Sequence, residues 1–342
     1  MNKELFENIK NLSYLRGISG REDAVRAYLI EQIEGHAEYE VDALGNLLVH
    51  KKGKTPAART LLFSAHMDEV GFVVTHIDEK GYLRFAPVGG IVPEVTGGRA
   101  VLVGEPPVYG AIGCKATHLC RDKDEKDPGK IETMWIDIGA KDRTDAEHFV
   151  AVGDMVTFAT EYRPMGEERV AARALDDRAG CAMMLQMIRG ELACDCKFAF
   201  TVQEETGCFG AKTAAYALNP DIAVAIECTT AGDLAGVSVE KQVCRVGAGP
   251  VVSFMDKGAI YSYDLYREVR ALAEQAGIPT QTKEGIFGGN ESRSLMTARG
   301  GCRVLAVSVP TRYLHSASCV AAYRDIEDTL RLLMLLPGAL AL

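Results

Sequence analysis

The sequence places a histidine and an aspartate directly after an apolar run. The run Leu61–Ala65 has the length of a buried strand, and His66 and Asp68 follow it. In open α/β sheets, functional side chains gather at the carboxyl ends of parallel strands. A single His-x-Asp pair also has a purely structural interpretation, because a histidine beside a strand commonly serves packing. Its chemical significance therefore depends on matching residues elsewhere in the chain.

Further acids and a second histidine occur where predicted strands end or helices begin. Asp176 and Asp177 precede an apolar helix, where the alternative is a simple aspartate N-cap. The other candidates follow predicted strands, and they are Glu204, Glu205, Glu227 and His315. Neighbouring glutamates at a buried strand end repel each other unless a cation or a proton offsets them. Each residue alone has a plain structural interpretation, but their convergence on one sheet edge favours metal binding.

This set of residue types predicts metal-assisted hydrolysis. Two imidazoles and three carboxylates suit Zn²⁺, Co²⁺ or Mn²⁺ rather than the cysteine-rich sites of structural zinc. Two ions that share a carboxylate can clamp the oxygens of a hydrolytic transition state and acidify a bridging water. A carboxylate outside the ligand set can then remove the proton from that water. We therefore expect two divalent metal ions per subunit.

Helix and strand patterns alternate on both sides of a different, strand-rich stretch. Residues 1–71 and 166–342 predict an α/β core that carries the metal site. Between them, residues 72–165 contain short strand-like runs separated by glycines and charged turns, which is typical of a small all-β unit. The charged stretch Arg121–Lys130 in this unit predicts a solvated loop. Near the start of the chain, Ser19 predicts the N-cap of the second helix.

The composition excludes several classes of protein. The 342 residues carry a formal net charge of −9, and no basic run suits nucleic acid or an anionic membrane surface. The sequence shows no apolar signal core and no window long enough for a membrane span, so we expect a cytoplasmic protein. Six of the ten cysteines lie in or beside apolar segments and are expected to be reduced and buried, namely Cys114, Cys181, Cys208, Cys228, Cys244 and Cys302.

Four motifs carry a resemblance to a known family. They are His66-Met67-Asp68-Glu69-Val70-Gly71, Leu175-Asp176-Asp177-Arg178-Ala179-Gly180, Gln203-Glu204-Glu205-Thr206-Gly207 and Arg312-Tyr313-Leu314-His315-Ser316. In this order they resemble the glutamyl aminopeptidase and tetrahedral aminopeptidase family of dinuclear metallopeptidases. The resemblance spans nearly the whole chain, including the strand-rich insertion. It implies a zinc-exopeptidase-like mixed sheet with helices on both faces, interrupted by a small all-β domain.

The resemblance also implies how the metals are held. One metal would be bound by His66, Asp176 and Glu227. The other would be bound by Asp176, Glu205 and His315, so that Asp176 bridges the two ions.

Three further roles follow from the same resemblance. Glu204 would be the general base that activates the bridging water, and Asp68 would orient the imidazole of His66. Asp177 would complete the turn after Asp176, where the family often carries a cis peptide. The insertion would mediate dimer contacts, and dimers would assemble up to a hollow tetrahedral dodecamer.

Two positions depart from the family pattern. Many relatives have aspartate at the position of Glu227, and a glutamate there puts the substrate class in question while preserving a competent ligand. Many relatives also read closer to Gly-Gly-Thr-Asp-Ala-Gly-Ala where this chain has Gly288–Ser294. In that loop, Asn290 and Arg293 are candidate substrate-binding residues, with Arg293 able to pair with an acidic side chain or a terminal carboxylate. The alternative for Arg293 is a surface residue that reaches solvent.

The leading hypothesis is an aminopeptidase that hydrolyses N-terminal residues from peptides with a free N-terminus. A hydroxide bridging the two metals would attack the peptide carbonyl, with Glu204 as the base. The alternative prompted by Glu227 is a metal-dependent deacylase of N-acyl amino acids or peptides. A non-catalytic scaffold would have lost a ligand or the base, and all of them are present. Glycosidase chemistry is disfavoured because it needs carboxylates that are free of metal.

Overall fold

The computed structural model describes residues 1–116 and 130–342. Apart from Lys130, the loop predicted at Arg121–Lys130 lies outside these ranges. The α-helices are α1 (Lys3–Tyr14), α2 (Asp23–Ile33), α3 (Arg143–Glu147), α4 (Leu175–Arg189), α5 (Phe209–Leu218), α6 (Tyr263–Gln275), α7 (Ser292–Leu295) and α8 (Tyr323–Leu340). Short 3₁₀ turns cover Pro93–Val95, Ile131–Thr133 and Val239–Lys241.

The core of the molecule is a mixed sheet. Its strands are β1 (Glu38–Val41), β2 (Leu47–Lys51), β3 (Leu61–His66), β12 (Cys196–Thr201), β13 (Ile222–Thr230), β14 (Val251–Val252), β15 (Gln281–Thr282) and β16 (Arg303–Thr311). They lie side by side in the order β1-β2-β12-β3-β13-β16-β14-β15. The four middle strands, β12, β3, β13 and β16, run parallel, while β2 and β14 flank them antiparallel. The predicted mixed α/β fold is therefore confirmed.

Both faces of this sheet are covered, which explains the continuous apolar runs of its middle strands. Every residue of β3 is buried. On one face, side chains such as Phe63 and Phe198 join the cluster that includes α1, α2, α4, α6 and α8. On the other face, the alanines Ala211, Ala214 and Ala215 of α5 pack against the sheet together with α7. The parallel strands are thus held rigidly, with only their ends available to a site.

The strand-rich stretch closes into a barrel. Within the described ranges its strands are β4 (Gly71–Ile77), β5 (Leu83–Val88), β6 (Ala100–Val103), β7 (Val108–Gly113), β8 (Trp135–Asp137) and β9 (Met155–Phe158), in the order β4-β5-β8-β7-β6-β9. Phe72 lies at the centre of its interior, with ring centroids 5.0 Å from Phe85 and 5.4 Å from Phe158 in edge-to-face contacts. A separate small sheet of β10 (Arg163–Met165), β11 (Arg169–Ala172) and β17 (Cys319–Ala322) returns the chain to the core.

Several local predictions are wrong in detail. Ser19 does not cap α2, which begins at Asp23 without a side-chain cap. Its hydroxyl instead donates a hydrogen bond to Asp68, because the turn before α2 folds over the end of β3. β13 continues past Glu227 to Thr230 instead of ending before it, since pairing with β16 extends that far.

The predicted burial of the cysteines is also wrong in part. Cys181, Cys208, Cys228 and Cys244 are buried free thiols, as expected. Cys114 is exposed and Cys302 is half-buried. Cys114 directly follows β7, where the chain leaves the barrel, so the apolar neighbours in sequence do not enclose it.

One buried arginine joins the core to the barrel. The Arg16 guanidinium donates to the carbonyls of Leu102 and Met155 at 3.1 and 3.2 Å, to the Gly104 carbonyl, and to Thr157 Oγ1 at 3.0 Å. Leu102 lies in β6 and Gly104 follows it, while Met155 and Thr157 lie in β9, so the guanidinium gives buried charged donors to two neighbouring barrel strands. Arg16 therefore fixes how the barrel meets the core sheet.

No helix in the described ranges combines the length and apolar character of a membrane span.

We expect Arg16→Met to destabilise the barrel in particular. Removing the guanidinium takes away several buried, charge-assisted hydrogen bonds to β6 and β9, which costs about 3 kcal/mol. Urea unfolding should show the loss, and amide hydrogen exchange should accelerate in β6 and β9 more than in β3. The exposed Arg59 provides the control, and Arg59→Met should leave both measurements unchanged. If hydrogen exchange accelerated equally in the core sheet and in the barrel, Arg16 would not be the residue that holds the two together.

Candidate metal centre

The register of the parallel strands brings the candidate residues to one edge of the sheet. Thr201, the last residue of β12, pairs with His66, the last residue of β3. On the other side of β3, Ala225 pairs with Ser64, so Glu227 lies two residues further along, level with His66. Glu204 and Glu205 follow β12, and His315 follows β16 at the same edge. The convergence predicted from the strand ends is what the sheet produces.

Asp176 lies between the two histidines. Its Oδ1 is 3.5 Å from His66 Nε2, and its Oδ2 is 3.9 Å from His315 Nε2. Glu227 Oε2 lies 3.8 Å from His66 Nε2, and Glu205 Oε2 lies 3.4 Å from His315 Nε2. One carboxylate therefore faces two separate imidazole–carboxylate pairs. This arrangement offers two adjacent cation positions with a shared ligand.

The backbone at the start of α4 places Asp176 in this position. Asp176 and Asp177 have non-helical dihedral angles, and the peptide bond between them is cis, as the resemblance implied. Asp177 is fully buried; its Oδ1 accepts a hydrogen bond from the Gly180 amide at 3.0 Å. Its Oδ2 has no hydrogen-bond partner within the described ranges. Together with His66 and Glu227 it forms a group whose ligand atoms lie within 4.8 Å of one another, so Asp177 is a further candidate ligand.

The electrostatics of the edge fit a bound cation. Burial, and then repulsion from Asp176, hold the pKa of Glu205 well above its ordinary value. Burial also raises the pKa of Glu227 strongly, against the attraction of His66. For His66, burial alone would lower the pKa, but Asp176 and Asp68 outweigh it and the net pKa is raised. These acids crowd one another in a low-dielectric site, and divalent cations would remove that cost.

Asp68 connects the two halves of the edge. Its carboxylate accepts hydrogen bonds from Ser19 Oγ at 2.6 Å and from the amides of Glu204 and Glu205 at 3.0 and 3.1 Å. His66 Nδ1 lies 3.4 Å from Asp68 Oδ1 and 3.0 Å from its carbonyl oxygen. Burial alone would raise the pKa of Asp68, but His66 and Ser19 lower it on balance. Asp68 is therefore an anion that fixes both the imidazole and the Glu204-Glu205 turn.

Glu204 lies at the same edge of the sheet. In the described ranges its carboxylate forms no ion pair with His66 or His315. Its Oε1 accepts a hydrogen bond from Cys208 Sγ at 3.0 Å. Burial is the main cause of the raised pKa of Glu204. The contact between Cys208 and this carboxylate was not predicted. Cys208 follows Glu204 by four residues and lies just before α5, which brings its thiol within reach.

Comparison with known proteins decides the family. Residues 45–332 match the sequence profile of the M42 glutamyl aminopeptidase family. The chain belongs to this family. A lysyl aminopeptidase of Pyrococcus furiosus is 32% identical over 96% of this chain and 95% of its own length. A glutamyl aminopeptidase of Lactococcus lactis is 31% identical over 96% of this chain and 93% of its own.

Solved structures of the family show the same fold. A TET peptidase of Pyrococcus horikoshii, which can assemble into a tetrahedron or a large octahedral shell, superposes with a TM-score of 0.86. It is 35% identical, and the match covers 99% of this chain and 100% of that one. The chain is thus an M42 aminopeptidase, a peptidase of the hydrolase class.

The edge of the sheet that carries His66, Asp176, Glu205, Glu227 and His315, called the metal edge below, opens into a cavity of about 130 Å³. Asp176, Glu204, Glu227 and His315 line it, together with Asn290. The Asn290 amide group donates to the hydroxyl of Tyr261 at 3.1 Å and accepts from the Ser292 amide at 2.9 Å. Arg293 is exposed and is not among the residues that line this cavity. The structure therefore brings Asn290, but not Arg293, to the cavity wall.

Glu291, which was not predicted as a site residue, lies behind the metal edge. Its buried carboxylate accepts hydrogen bonds from Ser64 Oγ at 2.5 Å and from Thr201 Oγ1, and its amide donates to Glu227 Oε1 at 3.4 Å. Burial raises the pKa of Glu291 to about 7. The aspartate that many relatives have in this motif was the available signal, since it keeps an acid at this position. Glu291 ties β3, β12 and Glu227 together.

The barrel also reaches the metal edge. Gly89 follows β5 with a φ of +82°, and a Cβ there would lie 2.9 Å from Val70 Cγ1 and 3.1 Å from Glu205 Cβ. A Cβ on Gly90 would lie 3.4 Å from His315 Nδ1. Only glycine combines this positive φ with such a close approach. The barrel therefore forms one wall of the site.

We expect Asp68→Asn to weaken metal binding by about 10–100-fold. The side chain of asparagine carries no negative charge to orient His66, and it has one acceptor oxygen where the carboxylate has two. Metal content after dialysis at buffered free Zn²⁺ measures the change. Ser19→Ala should cause a smaller loss in the same direction, because it removes one hydrogen bond to the same carboxylate. Asp264→Asn, at an exposed position of α6, is the matched control. Unchanged metal content in Asp68→Asn would contradict this role of Asp68.

Proposed function

We propose that this M42 aminopeptidase removes N-terminal residues from peptides at a centre of two divalent cations. His66, Asp176 and Glu227 would hold one cation, and Asp176, Glu205 and His315 the other. The observation that carries the proposal is the position of Asp176, whose two carboxylate oxygens face different histidines 3.5 and 3.9 Å away. The donors suit Zn²⁺ or Co²⁺, with Mn²⁺ as a third candidate.

Each side chain of the centre then has a distinct task. When bound, the two cations would supply Lewis-acid polarisation of the peptide carbonyl and would lower the pKa of a water. Glu204 would accept the proton of the attacking water on its carboxylate and deliver it to the leaving amine. Burial raises the pKa of Glu204, which makes its carboxylate a stronger proton acceptor than an exposed glutamate. Cys208 would hold the carboxylate in place through its hydrogen bond.

The acidic character of the cavity supports cleavage at a free N-terminus. Glu204 lines the cavity and is outside the proposed ligand set, so its carboxylate would remain available to attract a protonated α-amine. An acylated amine lacks that charge and adds bulk at the same place. The cavity thereby favours exopeptidase action over the deacylase alternative that Glu227 raised.

We expect Glu204→Gln to lower kcat by about 10²–10⁴-fold on aminoacyl-anilides, because the amide cannot accept the proton of the water. Metal content should remain that of the unmodified protein, since Glu204 is outside the ligand set. Glu268→Gln, at an exposed position of α6, is the control. An N-acetylated anilide in the same assay tests the deacylase alternative, and turnover confined to that substrate would contradict aminopeptidase action. Unchanged turnover by Glu204→Gln would exclude this residue as the base.

Removal of the metals should abolish turnover and lower the thermal stability. Without cations the buried acids repel one another, whereas saturation at 100 times Kd would add about 2.7 kcal/mol to the free energy of unfolding. Elemental analysis, thermal unfolding and anilide turnover should be followed during chelation and during reloading with Zn²⁺, Co²⁺ or Mn²⁺. Full activity in protein shown to be metal-free would overturn the metal centre.

We also propose that residues 1–71 and 166–342 form the catalytic domain and that residues 72–165 form an assembly domain. Exposed apolar side chains on the barrel region, among them Tyr109, Phe149 and Val152, support this role. The assembly would range from a dimer to a tetrahedral dodecamer in a cytoplasmic protein. Light scattering of the purified chain measures its mass. A monomer at micromolar concentration would contradict the proposal.

A further inference from the structure

A buried lysine lines the cavity beside the metal edge. Lys283 directly follows β15, and its side chain is 7% exposed. Within residues 1–116 and 130–342 it is the only buried lysine. It shares the cavity with Glu227 and Asn290. In the described ranges its ammonium makes no hydrogen bond and has no carboxylate within 4.0 Å. A cation in this situation is costly unless a partner arrives.

The nearest acids are already engaged. Asp256 attracts Lys283, but its carboxylate accepts hydrogen bonds from the amides of Gly258 and Ala259 at 2.6 and 2.8 Å and from the hydroxyl of Tyr261. Glu227 also attracts Lys283, and cations at the metal edge would compete for that charge. Burial lowers the pKa of Lys283 on balance. The chain itself therefore leaves this cation without a close counter-ion.

The walls around Lys283 suit a short side chain with an apolar stem and a polar end. Val243, Phe287 and Leu314 line the same cavity and provide apolar surface. Thr229, Thr230 and Asn290 add polar groups. A substrate whose amine and carbonyl lie at the metal edge would extend the side chain of its first residue into this space.

We propose that Lys283 determines specificity by binding the side-chain carboxylate of an N-terminal glutamate or aspartate. The inference rests on the proposed aminopeptidase function. Family membership leaves the preference open, because the relatives named above include both a lysyl and a glutamyl aminopeptidase. The carboxylate at the far end of a dipeptide is the other source of the same chemistry, and it lies beyond the scissile bond.

The test compares Lys283→Met with two control variants, Lys257→Met and Arg293→Met. Lys257 is an exposed lysine whose amide donates to Gly288 in the same loop region, and Arg293 is the exposed arginine of α7. The substrates are anilides of Glu, Asp, Gln, Leu and Lys, which have no terminal carboxylate. The peptides Leu-Gly and Leu-Gly-amide test the dipeptide source separately. Metal content is measured for every variant.

For the unmodified protein we expect the Glu and Asp anilides to exceed Gln and Lys in kcat/KM. Lys283→Met should lower kcat/KM for Glu and Asp on the order of 100-fold, as expected for loss of a buried charge pair, and should leave Leu nearly unchanged. Both controls should behave as the unmodified protein. An equal loss on every substrate, or a loss of metal, would assign Lys283 to support of the metal edge and overturn the proposal. The unmodified protein could instead strongly prefer Leu-Gly over Leu-Gly-amide, and Lys283→Met could remove that preference. This result would show that Lys283 binds the terminal carboxylate of a dipeptide, and it would overturn the proposal.

A binding measurement separates this proposal from the proposed function. Calorimetry with metal-loaded Glu204→Gln protein compares a Glu-initiated with a Gln-initiated peptide, with and without Lys283→Met. Tighter binding of the Glu peptide that depends on Lys283 supports the specificity proposal whether or not turnover is observed. Equal binding of the two peptides rejects it. Absence of turnover on every free-amine substrate by the unmodified protein would refute the aminopeptidase proposal alone.

Discussion

The structure depends on burying several carboxylates and an imidazole at one edge of an apolar sheet. His66, Asp68, Asp177 and Glu227 are all nearly inaccessible to solvent, and Glu205 is packed beside them. In such surroundings like charges raise one another's pKa and oppose folding. His66, Ser19 and two backbone amides lower the pKa of Asp68 against the effect of burial, whereas in the described ranges Glu227 accepts only one long hydrogen bond, from the Glu291 amide. This difference separates an acid that is satisfied by the protein from acids that need a cation.

A rigid central sheet holds these carboxylates together in spite of their mutual repulsion. Four parallel strands with apolar helices on both faces fix the heights at which their terminal residues leave the sheet. Glu291 then links Ser64, Thr201 and Glu227 across the strand ends, and Arg16 holds the barrel against the core. A metal centre assembled from separate strands would tolerate little displacement, so these connections would matter to the proposed centre as much as its ligands.

Sequence patterns were sufficient for the parts that depend on periodicity and on strand ends. The mixed α/β core followed from apolar runs, and the meeting of His66, Asp176, Glu205, Glu227 and His315 followed from their positions at the ends of elements. The contacts of Ser19 and Cys208 did not follow, because they depend on how a turn folds over a neighbouring strand. The exposure of Cys114 was not predicted, since neighbours in sequence do not report neighbours in space, whereas the exposure of Arg293 matches the surface alternative left open for it. The solvated-loop prediction for residues 121–129 lies outside the described ranges.

The candidate ligands and the cavity wall beside them come from different parts of the fold. The candidate ligands come from the ends of paired strands and from the non-helical start of α4, where a shift would disrupt several contacts at once. Lys283, Phe287 and Asn290 instead come from the segment between β15 and α7, and the Lys283 amide donates to the Val252 carbonyl of β14 at 3.3 Å. Under the proposed function, substitution of these wall side chains would change the charge and shape of the cavity, whereas Glu291 in the same segment holds Ser64, Thr201 and Glu227 in place. Specificity would then depend on the wall side chains, and the hydrolytic centre on the strand ends and on Glu291.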